Sequence, residues 1–291
     1  ANFLLFQGPN QYPSNGLILA RLLYYFQQLY FCIVIMSFSA KLTKTAIAAS
    51  FLLAGLGLGA EAKEANLDRS VEVFGSYVLY HWRKDPKLKE FNPPQIITNV
   101  DSSTKVLGGC VSNYKGKINT DVGGTSYCAR SNTIYVVQEQ LEPFYEHFGA
   151  AAIAYVIAHE YGHYLQTVFD IPYKQPVSEL QADCLSGAIL GQGSDELDIS
   201  KRDIINMSET AYTIGSKSHG SSAQRAYAVY AGFGLSPEIT CSTADMNKLS
   251  NNQISDPIFK RMASERSAEV VDLNKPQTHL KSISGSLLGG L

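Results

Sequence analysis

Residues 150–163 read AAAIAYVIAHEYGH. The first nine are apolar at every position, so a helix built from them has no face for water and belongs in the middle of a domain. The last five change the chemistry abruptly. On a helix His159 and His163 project from one face about a turn apart, so both imidazoles can converge on one ion. Glu160 sits beside the first histidine, able to reach a water at that ion without occupying it. The spacing H-E-x-x-H thus offers a zinc ion two nitrogens and a water one base. Two ordinary polar residues at the end of so apolar a helix would instead be buried without partners.

Two histidines leave the ligand set one short, because a catalytic zinc site takes three protein ligands and keeps a position open. No histidine follows closely: the chain runs YLQTVFDIPY after His163, and His219 and His279 are distant. The stretch SELQADC offers carboxylates. Glu179 and Asp183 are four residues apart, hence on one face of a second helix. If that helix packs antiparallel beside the first, Glu179 completes the set, and Asp183 accepts the outer N–H of a liganding histidine. The same stretch carries Leu180, Ala182, Cys184 and Leu185, which is not the composition of a solvated acidic face.

Working outward, Ser178 to Leu190 reads as that second helix, closed by Gly191 and Gly193. The first is expected to run unbroken from Pro143 to Pro172. Further helices are expected over LDRSVEVFGSYVLYHWRKDPKLKE before Pro86, from about Ile199 to Ile214, and over QRAYAVYAGFG. Strands are expected at IITNV (96–100), KVLGG (105–109) and TIYVVQ (133–138), with loop or hairpin material between the last two. The fold class is therefore α+β, mainly helical, with a small β region packed on the helix that carries HEYGH. Trp82 is expected in core or rim packing.

The 291 residues, 45% hydrophobic with a formal net charge of −2, suffice for a domain whose core needs no staples. There is no basic run, so nucleic acid is not an expected partner. From Met36 the chain reads MSFSAKLTKTAIAASFLLAGLGLGAEAKEA: lysines, an apolar stretch, then Ala60-Glu61-Ala62, the layout of a cleaved secretory signal over 36–62. Residues 1–35 precede that start and are read as upstream translation foreign to the working protein. The apolar run Leu22–Ile35 is short for a membrane span; the mature chain is expected to have no stable span if the signal is cleaved, and to be membrane-anchored if that segment is retained. Export, to a periplasm or the extracellular space, fits four cysteines beyond the signal: Cys110, Cys128, Cys184 and Cys241. An even count favours two disulfides. Cys110–Cys128 closes the shortest, glycine-rich loop and leaves Cys184–Cys241. The stretch 251–291 is weakly patterned and reads as a loosely structured tail after a domain at 63–250.

HEYGHYLQ, then ELQADCLSGA, then SHGSSAQR together resemble the bacterial neutral zinc metallopeptidase family, which shares HE-x-GH, ELQADC and a later HG-x-x-x-QR segment. GGC…SYCARSNTIYV and TCSTAD (240–245) are similar to that family's cysteine segments. The resemblance covers roughly residues 65–250; the longer 110–128 loop and the tail depart from it. It implies a zincin-like fold, one Zn²⁺ on His159, His163 and Glu179, Glu160 as general base, and a peptide or protein substrate. His219 in SHGSSAQR has two readings: an oxyanion stabiliser, or part of a helix-capping turn in which Ser221 or Ser222 caps and Arg225 forms a structural ion pair. The alternative from another class is a zinc-containing but inactive envelope binding module.

Overall fold

The computed structural model describes residues 66–112 and 117–268. The signal segment and residues 1–35 lie outside them. The described chain is mainly helical with a small β region: helix α1 (66–84), strands β1 (Gln95–Val100), β2 (Lys105–Ser112), β3 (Lys117–Asp121), β4 (Ser126–Cys128) and β5 (Thr133–Val137), then helices α2 (Gln138–Phe148), α3 (Ala150–Val168), α4 (Val177–Gln192), α5 (Lys201–Thr213), α6 (Ser222–Gly232), α7 (Thr243–Ser250) and α8 (Pro257–Glu265).

Helix α3 is the axis of the core. Ala151 to Gly162 are all buried, as the unbroken apolar run requires. The expected single helix from Pro143 to Pro172 is two helices. Gly149 has φ 71°, a left-handed conformation that glycine adopts without a Cβ penalty, and it turns the chain between α2 and α3. Helix α2 begins earlier, at Gln138 directly after β5, and holds Pro143 in its interior. Helix α3 stops at Val168.

Helices α3 and α4 run antiparallel. Successive positions Tyr155, His159, His163 and Gln166 on α3 meet Asp183, Asp183 with Glu179, Glu179, and Ser178 in turn on α4. Small residues let the two come close: a Cβ on Gly162 would lie 3.0 Å from the Ala182 backbone. On its other side α4 meets α6 even more tightly, for a Cβ on Gly232 would fall 1.9 Å from the Cys184 carbonyl oxygen. Every residue from Val177 to Gly191 is buried.

Strand β5 is central in a three-stranded sheet of order β1-β5-β4, parallel to β1 and antiparallel to β4; β2 and β3 form a separate antiparallel pair. The β region meets α3 at β4, where the Tyr127 N–H donates to Glu160. Helix α1 covers another face of α3: Trp82, 1% exposed, stacks against Tyr161 and Tyr164 with ring centroids 6.0 and 5.0 Å away. Both expected disulfides are present, Cys110–Cys128 and Cys184–Cys241.

The first part of the expected loose tail is structured. Asp256 caps α8 by accepting the Ile258 N–H, and Ile258, Phe259 and Met262 are buried. Ala268 is buried too, so the packed domain extends beyond residue 250. The hydrophobic positions of α8 are few and spaced i, i+1 and i+4, which is a weak sequence signal for so short a helix.

Candidate metal centre

The antiparallel pair α3/α4 brings His159, His163 and Glu179 together. One ligand atom from each lies within 4.8 Å of the others. Glu179 Oε2 sits between the rings, 3.5 Å from His159 Nε2 and 3.4 Å from His163 Nε2. Two imidazole nitrogens and a carboxylate oxygen form a donor set suited to zinc with an open fourth position. The group is one that could hold a metal, and it is the only such group of three among the described residues.

The outer atoms of the rings are held so that both Nε2 atoms face inward. Gln166 donates its amide N–H to the Ser178 carbonyl and to Gln181, so its Oε1 is turned toward His163 Nδ1, 3.0 Å away. His163 must therefore donate from Nδ1, so Nε2 is the nitrogen left to face Glu179. His159 Nδ1 lies 2.8 Å from Asp183 Oδ1. The approach is oblique to the ring N–H, so this contact is electrostatic more than a well-aligned hydrogen bond.

Asp183 is itself fixed from behind. Arg225 on α6 grips it with Nε to Oδ2 and Nη2 to Oδ1, both at 2.8 Å, and the Tyr155 hydroxyl donates to Oδ1 at 2.6 Å. A fully buried carboxylate so surrounded stays charged: burial pushes its pKa up, but Arg225 and His159 outweigh that and bring it to about 2. Glu179 behaves alike, with burial opposed by the two histidines, which hold its carboxyl well below the ordinary range.

Glu160 has the opposite balance. It is buried, burial pushes its pKa up, and the nearby histidines and the Tyr127 amide only partly offset that. The Tyr127 N–H fixes Oε2 at 2.7 Å. Burial thus favours the protonated form of the Glu160 carboxyl more than water would.

His159, Glu160, His163 and Glu179 line a cleft of about 540 Å³, together with residues of the 121–129 segment, α2 and the 171–175 loop. His219 lines the same cleft, its Nδ1 2.9 Å from both the Ser216 and Ser218 hydroxyls. The turn around it also caps a helix: Ser221 and Gln224 form a reciprocal capping box at the start of α6, and Arg225 makes the ion pair with Asp183. Tyr155 and Gln166 escaped the sequence reading, and Tyr173, though near the motif in sequence, could not be singled out by it. Nothing distinguishes two useful tyrosines among 17, and Gln166 becomes visible only once its three-residue offset from His163 is known to be helical.

No helix among the described residues is long and apolar enough to cross a membrane. The two disulfides fit an oxidising compartment. In comparisons with known proteins, no family model, curated protein or solved structure matches this chain.

Proposed function

We propose that this chain is an exported zinc metallopeptidase of zincin-like type, with His159, His163 and Glu179 as the ligands of one Zn²⁺ and Glu160 as the general base. The observation that carries this reading is the convergence of two ring nitrogens and one carboxylate oxygen beside a buried carboxyl on the same cleft. The resemblance of HEYGH, ELQADC and SHGSSAQR to the neutral zinc metallopeptidases supports it.

Zinc held by this set supplies a Lewis acid that polarises a carbonyl and lowers the pKa of a water. The chain's own residues do the remaining work. Asp183 and Gln166 hold the two rings with Nε2 toward the centre. The Tyr127 amide fixes one oxygen of Glu160, which leaves Oε1 to accept the proton of the attacking water and return it to the leaving amine. The cleft has room for several side chains of an extended peptide.

The test is metal content and peptide turnover on the purified protein with two variants. About one zinc per chain, lost in Glu179→Ala, is expected. Glu160→Gln is expected to keep its zinc and lose hydrolysis of unstructured peptides. An intact protein that binds little zinc would sink the reading. Zinc without turnover of any peptide library favours the inactive binding module instead.

A further inference from the structure

The loop 169–176 that joins α3 to α4 places one side chain on the third ligand. The Tyr173 hydroxyl donates to Glu179 Oε1 at 2.6 Å, and its ring is tilted toward that of His163 with centroids 6.3 Å apart. Gln175 Nε2 in turn donates to the Tyr173 oxygen at 3.0 Å. An amide N–H has no lone pair to accept a proton, so the phenol is left to spend its single O–H on Glu179.

The two oxygens of Glu179 are thereby given different work. Oε2 stands between the two Nε2 atoms, while Oε1 is occupied by the phenol. A carboxylate free at both oxygens can chelate a cation, which raises the coordination number and takes up the position a water needs. We propose that Tyr173, oriented by Gln175, is a positioning residue that restricts Glu179 to one-oxygen ligation and so keeps a coordination position open. This rests on the ligand set of the proposed zinc site, and it adds a residue that neither histidine motif nor SELQADC contains.

Tyr173→Phe removes the hydroxyl and keeps the ring against His163. The probe is Co²⁺ in place of zinc, whose visible absorption is strong when four-coordinate and much weaker when five-coordinate, together with zinc affinity by chelator competition. The intact chain is expected to give the strong four-coordinate spectrum. Tyr173→Phe is expected to lose much of that intensity and to bind zinc roughly 10-fold more weakly, the lower end of what outer partners of metal ligands contribute. Its kcat is expected to fall with little change in KM.

A Tyr173→Phe protein with unchanged spectrum and zinc affinity overturns the inference, even if kcat falls, because the hydroxyl then acts on substrate and not on Glu179. Should Tyr173→Phe fail to fold by circular dichroism, Gln175→Ala is read in its place. It is expected to shift the spectrum in the same direction by a smaller amount, and no shift overturns the inference. If the intact chain takes up no cobalt or zinc at all, the ligand set itself is wrong, a failure distinguishable from that of Tyr173.

Discussion

Asp183 holds together groups from three helices: the His159 ring and the Tyr155 hydroxyl on α3, its own place on α4, and the Arg225 guanidinium on α6. Arg225 is 3% exposed and Asp183 is fully buried, so neither can lose its partner to water. Arg225→Met would leave an uncompensated buried carboxylate beside His159. A loss of about 3–5 kcal/mol in stability is expected, read from denaturant unfolding of the metal-free protein. Replacing Asp183 by Asn removes the charge but nearly keeps the shape. That variant is expected to lose roughly 10- to 100-fold in zinc affinity, measured by chelator competition. Equal zinc affinity in Asp183→Asn and the parent would show that Asp183 serves the fold alone. At Glu160 the expectation differs in kind. Glu160→Gln should cost about 100-fold or more in kcat with zinc content unchanged. At this scale the sequence was informative wherever two residues share a helix face: His159 with His163, and Glu179 with Asp183. It could not single out Tyr173 or Tyr155, whose partners lie on other elements and follow no spacing rule.

Elements keep these residues in register through small side chains. Gly187 and Gly232 sit where α4 and α6 touch, and a Cβ on Gly187 would fall 2.3 Å from the Val229 carbonyl oxygen. Gly232→Ala pushes the helices apart and is expected to cost about 1–3 kcal/mol, seen as a drop in melting temperature. Because α4 carries Glu179 and Asp183, weaker zinc binding should accompany it. A Gly232→Ala protein of unchanged stability would mean that this interface is looser than its backbone contacts indicate. The helix α7 that follows Cys241 gives a pH prediction. Burial raises the pKa of Asp245, but the Lys248 ammonium and the Thr240 hydroxyl and amide outweigh it, and the carboxyl lies below its ordinary 3.8. A carboxyl depressed on folding stabilises the fold fully above its unfolded pKa and loses that contribution as pH falls through the folded value. Asp245→Asn should therefore melt below the parent at pH 6, and the two should converge as pH falls below 3.8. A gap that persists at the lowest pH would assign the effect to geometry instead of charge. Helices α1, α3, α4, α5 and α6 were legible, since their apolar runs and turn signals are local, while the short α7 and α8 were not. Nor was the break at Gly149, because helix-forming residues lie on both sides of it and a single glycine does not reveal its φ.

Across the whole molecule, two disulfides tie distant parts of the chain to the centre, and they do so at different places. Cys184 follows Asp183 directly and binds α4 to the segment before α7, at a sequence separation of 57. Cys128 follows Tyr127, the residue whose amide holds Glu160, and binds the edge strand β4 to β2 over 18 residues. Both pairings were legible from cysteine count and spacing. What each one supports was not, because that depends on contacts such as β4 lying against α3, where Tyr127 and Glu160 are 33 positions apart. Loop-closure entropy gives about 4 kcal/mol for the longer loop and about 3 kcal/mol for the shorter one. Removing Cys184–Cys241 by paired Cys→Ala substitution should therefore lower stability and zinc affinity together, since it frees the helix that carries the proposed third ligand. Removing Cys110–Cys128 should act elsewhere. The proposed ligands stay on α3 and α4, so zinc content should be retained, while β4 loosens and the Glu160 carboxyl loses its fixed orientation. Peptide turnover should then fall with the metal still bound. Zinc content, melting temperature and turnover on the two double variants read these effects separately. If loss of Cys110–Cys128 released zinc as readily as loss of Cys184–Cys241, the β region would be holding the ligand helices themselves, and its role would reach beyond Glu160.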